Sequence, residues 1–226
     1  MSTYPAVSIQ PLIEVKVSSI LVGDHYFSIR ALKDKQQFSD PDGVAERAGV
    51  SSSTWPLFGT VWPSGMILAE LMSVHVIDGL RILELGCGLG LASLVAHFRG
   101  ADITASDYHP SACDFFAENI LLNQMSPMTL LLCDWAKLHD EMGCFDLIIG
   151  SDLLYEPNHP ELLSTFIDLH SKPTVEVIII DPDRRQQREF TRSMEKRGYA
   201  YSMTRGSAEQ IERLKFKGKI MTYRRG

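Results

Sequence analysis

Arg81-Ile82-Leu83-Glu84-Leu85-Gly86-Cys87-Gly88-Leu89-Gly90-Leu91 is the stretch whose reading decides the fold. An apolar strand pattern, Leu80–Leu85, runs into three glycines at every second position, and an apolar helical pattern, Leu91–Arg99, begins at once. Glycines after a strand let the backbone bend sharply and come close to a bound molecule at the strand's carboxyl end. A nicotinamide-dinucleotide fingerprint needs a small residue at the sixth position of the motif, where this chain has the bulky Leu91. The spacing therefore points to a different nucleotide-like ligand.

Two acids narrow the ligand further. Glu84 stands two residues before the first glycine, and Asp107 ends the next strand pattern in Thr104-Ala105-Ser106-Asp107. A carboxylate at that strand end can accept the hydrogens of both hydroxyls of a ribose. The third strand pattern ends in Leu132-Cys133-Asp134-Trp135, where an adenine lies if the ribose sits on Asp107. There an acid can accept a hydrogen from the exocyclic amine, and an indole can cover the ring.

Outward from the glycine loop, strand and helix signals alternate. Helices are expected at Ser64–His75, Leu91–Arg99, Pro110–Asn123, His159–His170, Arg184–Arg197 and Ser207–Lys215. Strands are expected at Leu80–Leu85, Asp102–Ser106, Met128–Cys133, Phe145–Gly150, Val175–Ile180, Ala200–Thr204 and Gly218–Tyr223. Near-continuous apolar strands such as Val177-Ile178-Ile179-Ile180 imply a parallel sheet covered on both faces, so the expected fold class is α/β and Rossmann-like. Towards the N-terminus, residues 12–32 alternate apolar and polar side chains about Gly23-Asp24, a β-hairpin signal. Residues 33–54 are polar and read as a long loop with one helical turn near Val44–Ala48. Two units are expected: a hairpin and loop over residues 1–54, and the ligand-binding domain over residues 55–226.

With 45% hydrophobic and 22% charged residues, the 226-residue chain can bury a full α/β core. Met1-Ser2-Thr3-Tyr4-Pro5 has no leader character and no apolar run reaches bilayer length, so neither secretion nor membrane attachment is expected and the location expected is cytoplasmic. Cys87, Cys113, Cys133 and Cys144 lie in apolar stretches without a Cys-x-x-Cys pair and read as buried free thiols. The histidines show no metal-ligand spacing, so no metal is expected. A net charge of −6 disfavours a nucleic-acid partner, and a solvated face accounts for Arg184-Arg185, Arg188, Lys196-Arg197 and Arg224-Arg225.

From about Trp62 to the C-terminus the chain resembles the class I S-adenosylmethionine-dependent methyltransferases, whose first motif Glu84-x-Gly86-x-Gly88-x-Gly90 matches in full. The resemblance implies a seven-stranded, mostly parallel sheet with an antiparallel last strand. It also implies an S-adenosyl-L-methionine cofactor, with Gly86, Gly88 and Gly90 at its amino acid portion, Asp107 at its ribose and Asp134 at its adenine. Ser151-Asp152-Leu153-Leu154-Tyr155-Glu156, after the strand Phe145–Gly150, looks like the Asp-x-x-Tyr motif of methyltransferase family sixteen, many of whose members methylate protein lysines. Trp62 matches a tryptophan that lines the cofactor pocket in that family. The set expected at the cofactor is Trp62, Glu84, Gly86, Gly88, Gly90, Asp107, Asp134, Trp135 and Ser151, and the catalytic pair expected is Asp152 and Tyr155.

The acceptor implied is a protein lysine; a monomer is the expectation, and no motif in the sequence carries the oligomeric state. Asp152 orients the amine, water takes its proton, and Tyr155 walls the channel. A small amine or another protein side chain as acceptor is an alternative, and so is a non-catalytic cofactor-binding scaffold. Against nucleic acid, Leu153-Leu154 stands where base amino-methylases carry prolines of a Pro-Pro-Tyr-type motif, and no Pro-Cys nucleophile occurs.

Overall fold

The computed structural model describes residues 13–226; residues 1–12, with the N-terminal pentapeptide and the first residue of the expected hairpin, lie outside the described residues. β1 (Val15–Val22) and β2 (His25–Leu32) form a separate antiparallel ribbon. A short helix, α1 (Val44–Arg47), and a 3-10 turn, Trp55–Gly59, follow. Then come α2 (Pro63–Val74), β3 (Arg81–Leu85), α3 (Leu91–Phe98), β4 (Asp102–Asp107), α4 (Pro110–Leu122) and β5 (Thr129–Leu132). The second half runs β6 (Phe145–Ser151), α5 (His159–Leu169), β7 (Ser171–Asp181), α6 (Gln187–Lys196), β8 (Ala200–Thr204), α7 (Ala208–Leu214) and β9 (Lys219–Arg225).

The helix starts follow from local chemistry. Proline occupies the first turn of α2, α4 and α5, where its missing N–H leaves no hydrogen bond unmade. His109 caps α4 by accepting a hydrogen bond from Ser111 N, and Ser207 with Gln210 forms a capping box on α7.

The main sheet has the order β5-β4-β3-β6-β7-β9-β8, and only β9 runs antiparallel to its neighbours. Successive side chains of the central strands face opposite layers. Ile82, Leu147, Ile149, Ile178 and Ile180 pack with α2, α3, α4 and the hairpin, whereas Leu83, Leu85, Ile148, Val177 and Ile179 pack with α5 and α6. β7 begins earlier than the expected Val175: Ser171 pairs with Phe145, and the register then slips around Pro173, which has no N–H for the ladder.

The chain leaves β3 towards β4 and β5 and returns as β6 on the other side of β3. That reversal opens a crevice beyond the carboxyl ends of β3 and β6, the place where open α/β sheets bind ligands. Glu84–Gly90 and Ser151-Asp152 both emerge there.

The hairpin is tied to the domain through its own edge. Asn119 on α4 and Asn123 at its C-terminal cap accept hydrogen bonds from Arg30 N and Ser28 N at 2.7 and 2.8 Å, and Asn123 Nδ2 donates to Ser28 O at 2.8 Å. Two amides thus occupy backbone positions that a third strand would otherwise fill. Cys144 is exposed and Cys113 only partly buried, contrary to the expectation that all four thiols are buried, because Cys144 lies in a loop before β6 and Cys113 off the buried face of α4. Among the described residues no helix is long and apolar enough to cross a membrane.

Candidate active site

All of the residues expected at the site line one cavity of about 770 Å³ in that crevice. This volume lies in the range typical of small-molecule sites. The glycine loop forms its floor. Gly86, Gly88 and Gly90 have φ of +59°, +53° and +75°, conformations that L side chains rarely adopt. A Cβ on Gly88 would stand 2.9 Å from Phe58 O, and one on Gly90 would stand 2.0 Å from the Phe116 ring. The absence of side chains lets the loop pass between the Trp55–Gly59 turn above and α4 beside it.

The two acids of the glycine motif do different things. Glu84 is buried, and its Oε2 accepts hydrogen bonds from Ser93 N at 2.8 Å and from Ser93 Oγ, which binds the end of β3 to the first turn of α3. Burial, only partly offset by Ser93, pushes its carboxyl up to about 7. Asp107 accepts from Gly88 N at 2.7 Å through Oδ2 and from His109 N at 2.8 Å through Oδ1. One acid holds the helix, and the other holds the loop. A carboxylate has about four acceptor positions, so Asp107 keeps capacity on both oxygens for a pair of hydroxyls.

At the end of β5, Asp134 accepts from Ala136 N at 3.0 Å and pairs with Lys137 Nζ at 3.2 Å. Trp135 lies edge-on to His159 at 5.4 Å between ring centroids. Trp62, just before α2, donates from Nε1 to Leu57 O at 2.9 Å, which fixes its indole under the 3-10 turn. Ser151, the last residue of β6, has its Oγ close to Gly65 on α2.

Asp152 follows with φ +55°, so the chain turns sharply out of β6, and its N–H donates to Ile180 O at 2.8 Å. The Tyr155 ring meets His159 edge-on at 4.6 Å, and desolvation by burial raises its phenol to about 12. His159 is in turn fixed through Nδ1 to Leu153 O at 2.6 Å.

Three cavity-lining groups escaped the sequence reading. Arg184 is not part of a merely solvated face: it grips Asp152 with Nε to Oδ1 at 2.8 Å and Nη2 to Oδ2 at 3.0 Å. Nothing in the local sequence marks that pair. The second is the stretch Gly49–Ser51 with Thr54, Leu57 and Phe58, which lines the cavity with Gly49 against Tyr108 and Phe58 O against Gly88.

His109 is the third. Its ring stacks on Phe58 at 4.2 Å, and its Nδ1 is committed as an acceptor to Ser111 N. Burial lowers its imidazole to about 4. Its neutral form therefore stabilises the fold above the ordinary histidine range, and that stability is lost as pH falls through about 6.5 towards 4. His109→Asn keeps a side-chain cap and removes this titration. The decline in urea-unfolding free energy from pH 7 to pH 5 is expected to be shallower in the variant by about 2 kcal/mol. Parallel declines would show that His109 is not the group responsible.

The lining suits an adenosyl sulfonium ligand. Free acceptor positions on Asp107 match two vicinal hydroxyls, Asp134 and Trp135 offer an acid and an aromatic face, and the glycine loop has no side chains to obstruct approach. A seven-stranded α/β sheet with such a crevice defines the class I methyltransferase fold, which the chain shares with the 16S rRNA N2 G1207 methyltransferase of T. thermophilus. The two superpose with a TM-score of 0.61 over 96% of this chain and 52% of that one, at 13% identity, so the likeness is one of fold.

The chain belongs to the lysine methyltransferase family, whose model matches residues 53–197. It is 31% identical over 137 residues to the Xenopus tropicalis protein N-lysine methyltransferase METTL21A, covering 57% of this chain and 62% of that protein. With the electron transfer flavoprotein beta subunit lysine methyltransferase of Xenopus laevis it shares 32% over 136 residues, 58% of this chain and 54% of that one. The matched region thus spans less than two thirds of the length of either relative.

Proposed function

We propose that this protein is an S-adenosylmethionine-dependent N-methyltransferase that methylates the side-chain amine of a lysine in a protein acceptor. The observation that carries the reading is that Asp107, at the end of β4 and suited to a ribose, and Asp152, just after β6 and suited to an amine, line the same cavity on opposite sides of the glycine loop that leaves β3. In this reading Trp62, Glu84, Gly86, Gly88, Gly90, Asp107, Asp134, Trp135 and Ser151 form the donor site, Glu84 acting through Ser93 and the loop. Asp152 and Tyr155 form the acceptor site. Residues 1–54 are the appended unit, and their Gly49, Val50, Ser51 and Thr54 line the cavity.

S-adenosylmethionine, when bound, supplies a methyl group already activated by its sulfonium. The chain's own residues therefore align the nucleophile, exclude water and deal with one proton. Alignment is worth on the order of 7–11 kcal/mol of barrier when the reacting atoms are held in line. A lysine ammonium, with an ordinary pKa near 10.4, has no lone pair and must first lose a proton to water. Asp152 then accepts an N–H of the amine and aims its lone pair, while the Tyr155 ring walls the approach. Asp152 and Tyr155 would so present the amine's lone pair in line with the activated methyl group that the bound donor would supply.

The acidic net charge, the Leu153-Leu154 pair and the relatives' names favour a protein over nucleic acid as acceptor. The four unbridged thiols are in keeping with a cytoplasmic protein.

Purified protein with tritiated-methyl donor, added to extract of cells that lack it, is expected to label a protein band. The label should survive nuclease, vanish with protease and map to lysine by mass spectrometry. Label that nuclease removes, or that sits on a small amine, would overturn the acceptor assignment. Donor binding without any label would favour a non-catalytic scaffold.

A further inference from the structure

The contact between Asp152 and Arg184 is built into the fold. Arg184 N donates to Oδ1 of Asp181 at 2.6 Å, and Asp181 is a fully buried acid at the end of β7. Asp152 N donates to Ile180 O, the residue just before. One strand end thus positions both partners. The fork spends two N–H groups on the two carboxylate oxygens, the arrangement with the best-defined geometry for an acid. It leaves each oxygen a further lone pair for an incoming N–H.

An acid facing a lysine channel has an unwelcome side effect. Alone, it attracts the ammonium, the protonation state that cannot attack. From these contacts we infer that Arg184 is a positioning and selectivity residue: it holds Asp152 by both oxygens and balances its charge, so that the target side chain is held as a free amine. This inference rests on the lysine-methylation reading above. With the Asp152–Arg184 pair neutral overall and a sulfonium donor carrying positive charge, an ammonium at the acceptor end has no unbalanced anion to hold it.

The other groups facing this end do not restore that attraction. Tyr155, raised to about 12, is neutral at physiological pH, and burial lowers His159 towards its neutral form. Glu156 also lines the cavity, but its carboxylate is exposed, so water and salt screen its charge. Asp107 stands on the donor side, with its oxygens engaged by Gly88 N and His109 N. Asp181 lies behind Arg184, is likewise raised by burial, and has one oxygen taken by the Arg184 backbone. Asp183 pairs with Lys219 at 2.9 Å.

The test is single-turnover transfer of tritiated methyl to the labelled protein band of nuclease-treated extract, with the enzyme–donor complex in saturating excess, between pH 6.5 and 10. Under these conditions the rate follows ionisation of the bound acceptor. Arg184→Gln is expected to move the acid limb up by about one pH unit, losing about tenfold in rate at pH 7 and recovering most of it above pH 9.5. Arg184→Lys retains the charge and should keep the wild-type limb.

An equal loss at every pH in Arg184→Gln would mean that Arg184 only fixes a rotamer. A faster, tighter-binding Arg184→Gln would mean that it merely blocks the channel. Either result overturns the inference and leaves the functional reading standing. No label with the wild-type enzyme overturns both.

Discussion

Asp107→Asn is expected to weaken binding of S-adenosylmethionine and S-adenosylhomocysteine by about two to three orders of magnitude, with the folded state retained. The residue has two duties at once. Its oxygens hold Gly88 N and His109 N, which shape the loop, and their remaining lone pairs are the acceptors offered to the ribose. Hydrogen bonds to a charged acceptor contribute about 1.5–3 kcal/mol each, so two such bonds account for the loss. An amide keeps the volume but presents an NH2 where one of the two backbone N–H groups expects an acceptor.

That mismatch disturbs the glycine loop locally. The core layers beneath it, centred on Ile82, Leu83 and Ile149, are untouched. Calorimetry with S-adenosylhomocysteine, alongside circular dichroism, separates the two effects. Affinity within threefold of wild type would remove Asp107 from the donor site.

Asp152→Asn is expected to reduce the methyl-transfer rate by about 100- to 1000-fold while donor affinity changes less than threefold. Asn is the informative substitution because Asp152 has a positive φ, which Asn tolerates and Ala does not. Alanine would confound loss of the carboxylate with backbone strain of about 1–2 kcal/mol. The ion pair with Arg184 is partly open to solvent, so losing it should lower stability by about 1 kcal/mol or less. The rate effect therefore dominates, and a thermal melt alongside the transfer assay distinguishes it from unfolding. A rate within a few-fold of wild type would leave the amine to be aimed by some other group.

Much of this arrangement is legible in the chain because it is local. The strand ending in Leu85 and the glycine triplet define one another within a few residues, and so do Asp107 with Pro110 and Ser151 with Asp152. Strand and helix periodicities depend on neighbours two to four residues away, which is why those elements are recovered with little error. Even the cavity follows from order alone, since strands alternating with helices must place their carboxyl-end loops on one edge.

The pieces that escaped are contacts between residues far apart in sequence. Arg184 looks like one of several surface cations until β7 lies beside β6 and brings it to Asp152, 32 residues earlier. Glu84 and Asp107 look alike as acids at strand ends. Only the packing shows that Ser93 engages the first from within α3, whereas the second faces the glycine loop. Asn119 and Asn123 look like polar positions of a helix, yet they complete the open edge of β2.

By itself the sequence determined the α/β class, the crevice at the end of β3 and the acids around it, because periodicity and glycine geometry act over short range. Tertiary structure alone decided which charge faces which: the Arg184 fork on Asp152, the Phe58 roof over Gly88 and the neutral, stacked His109. Those depend on burial and on distances set by sheet order, and neither is encoded in any single stretch of the chain.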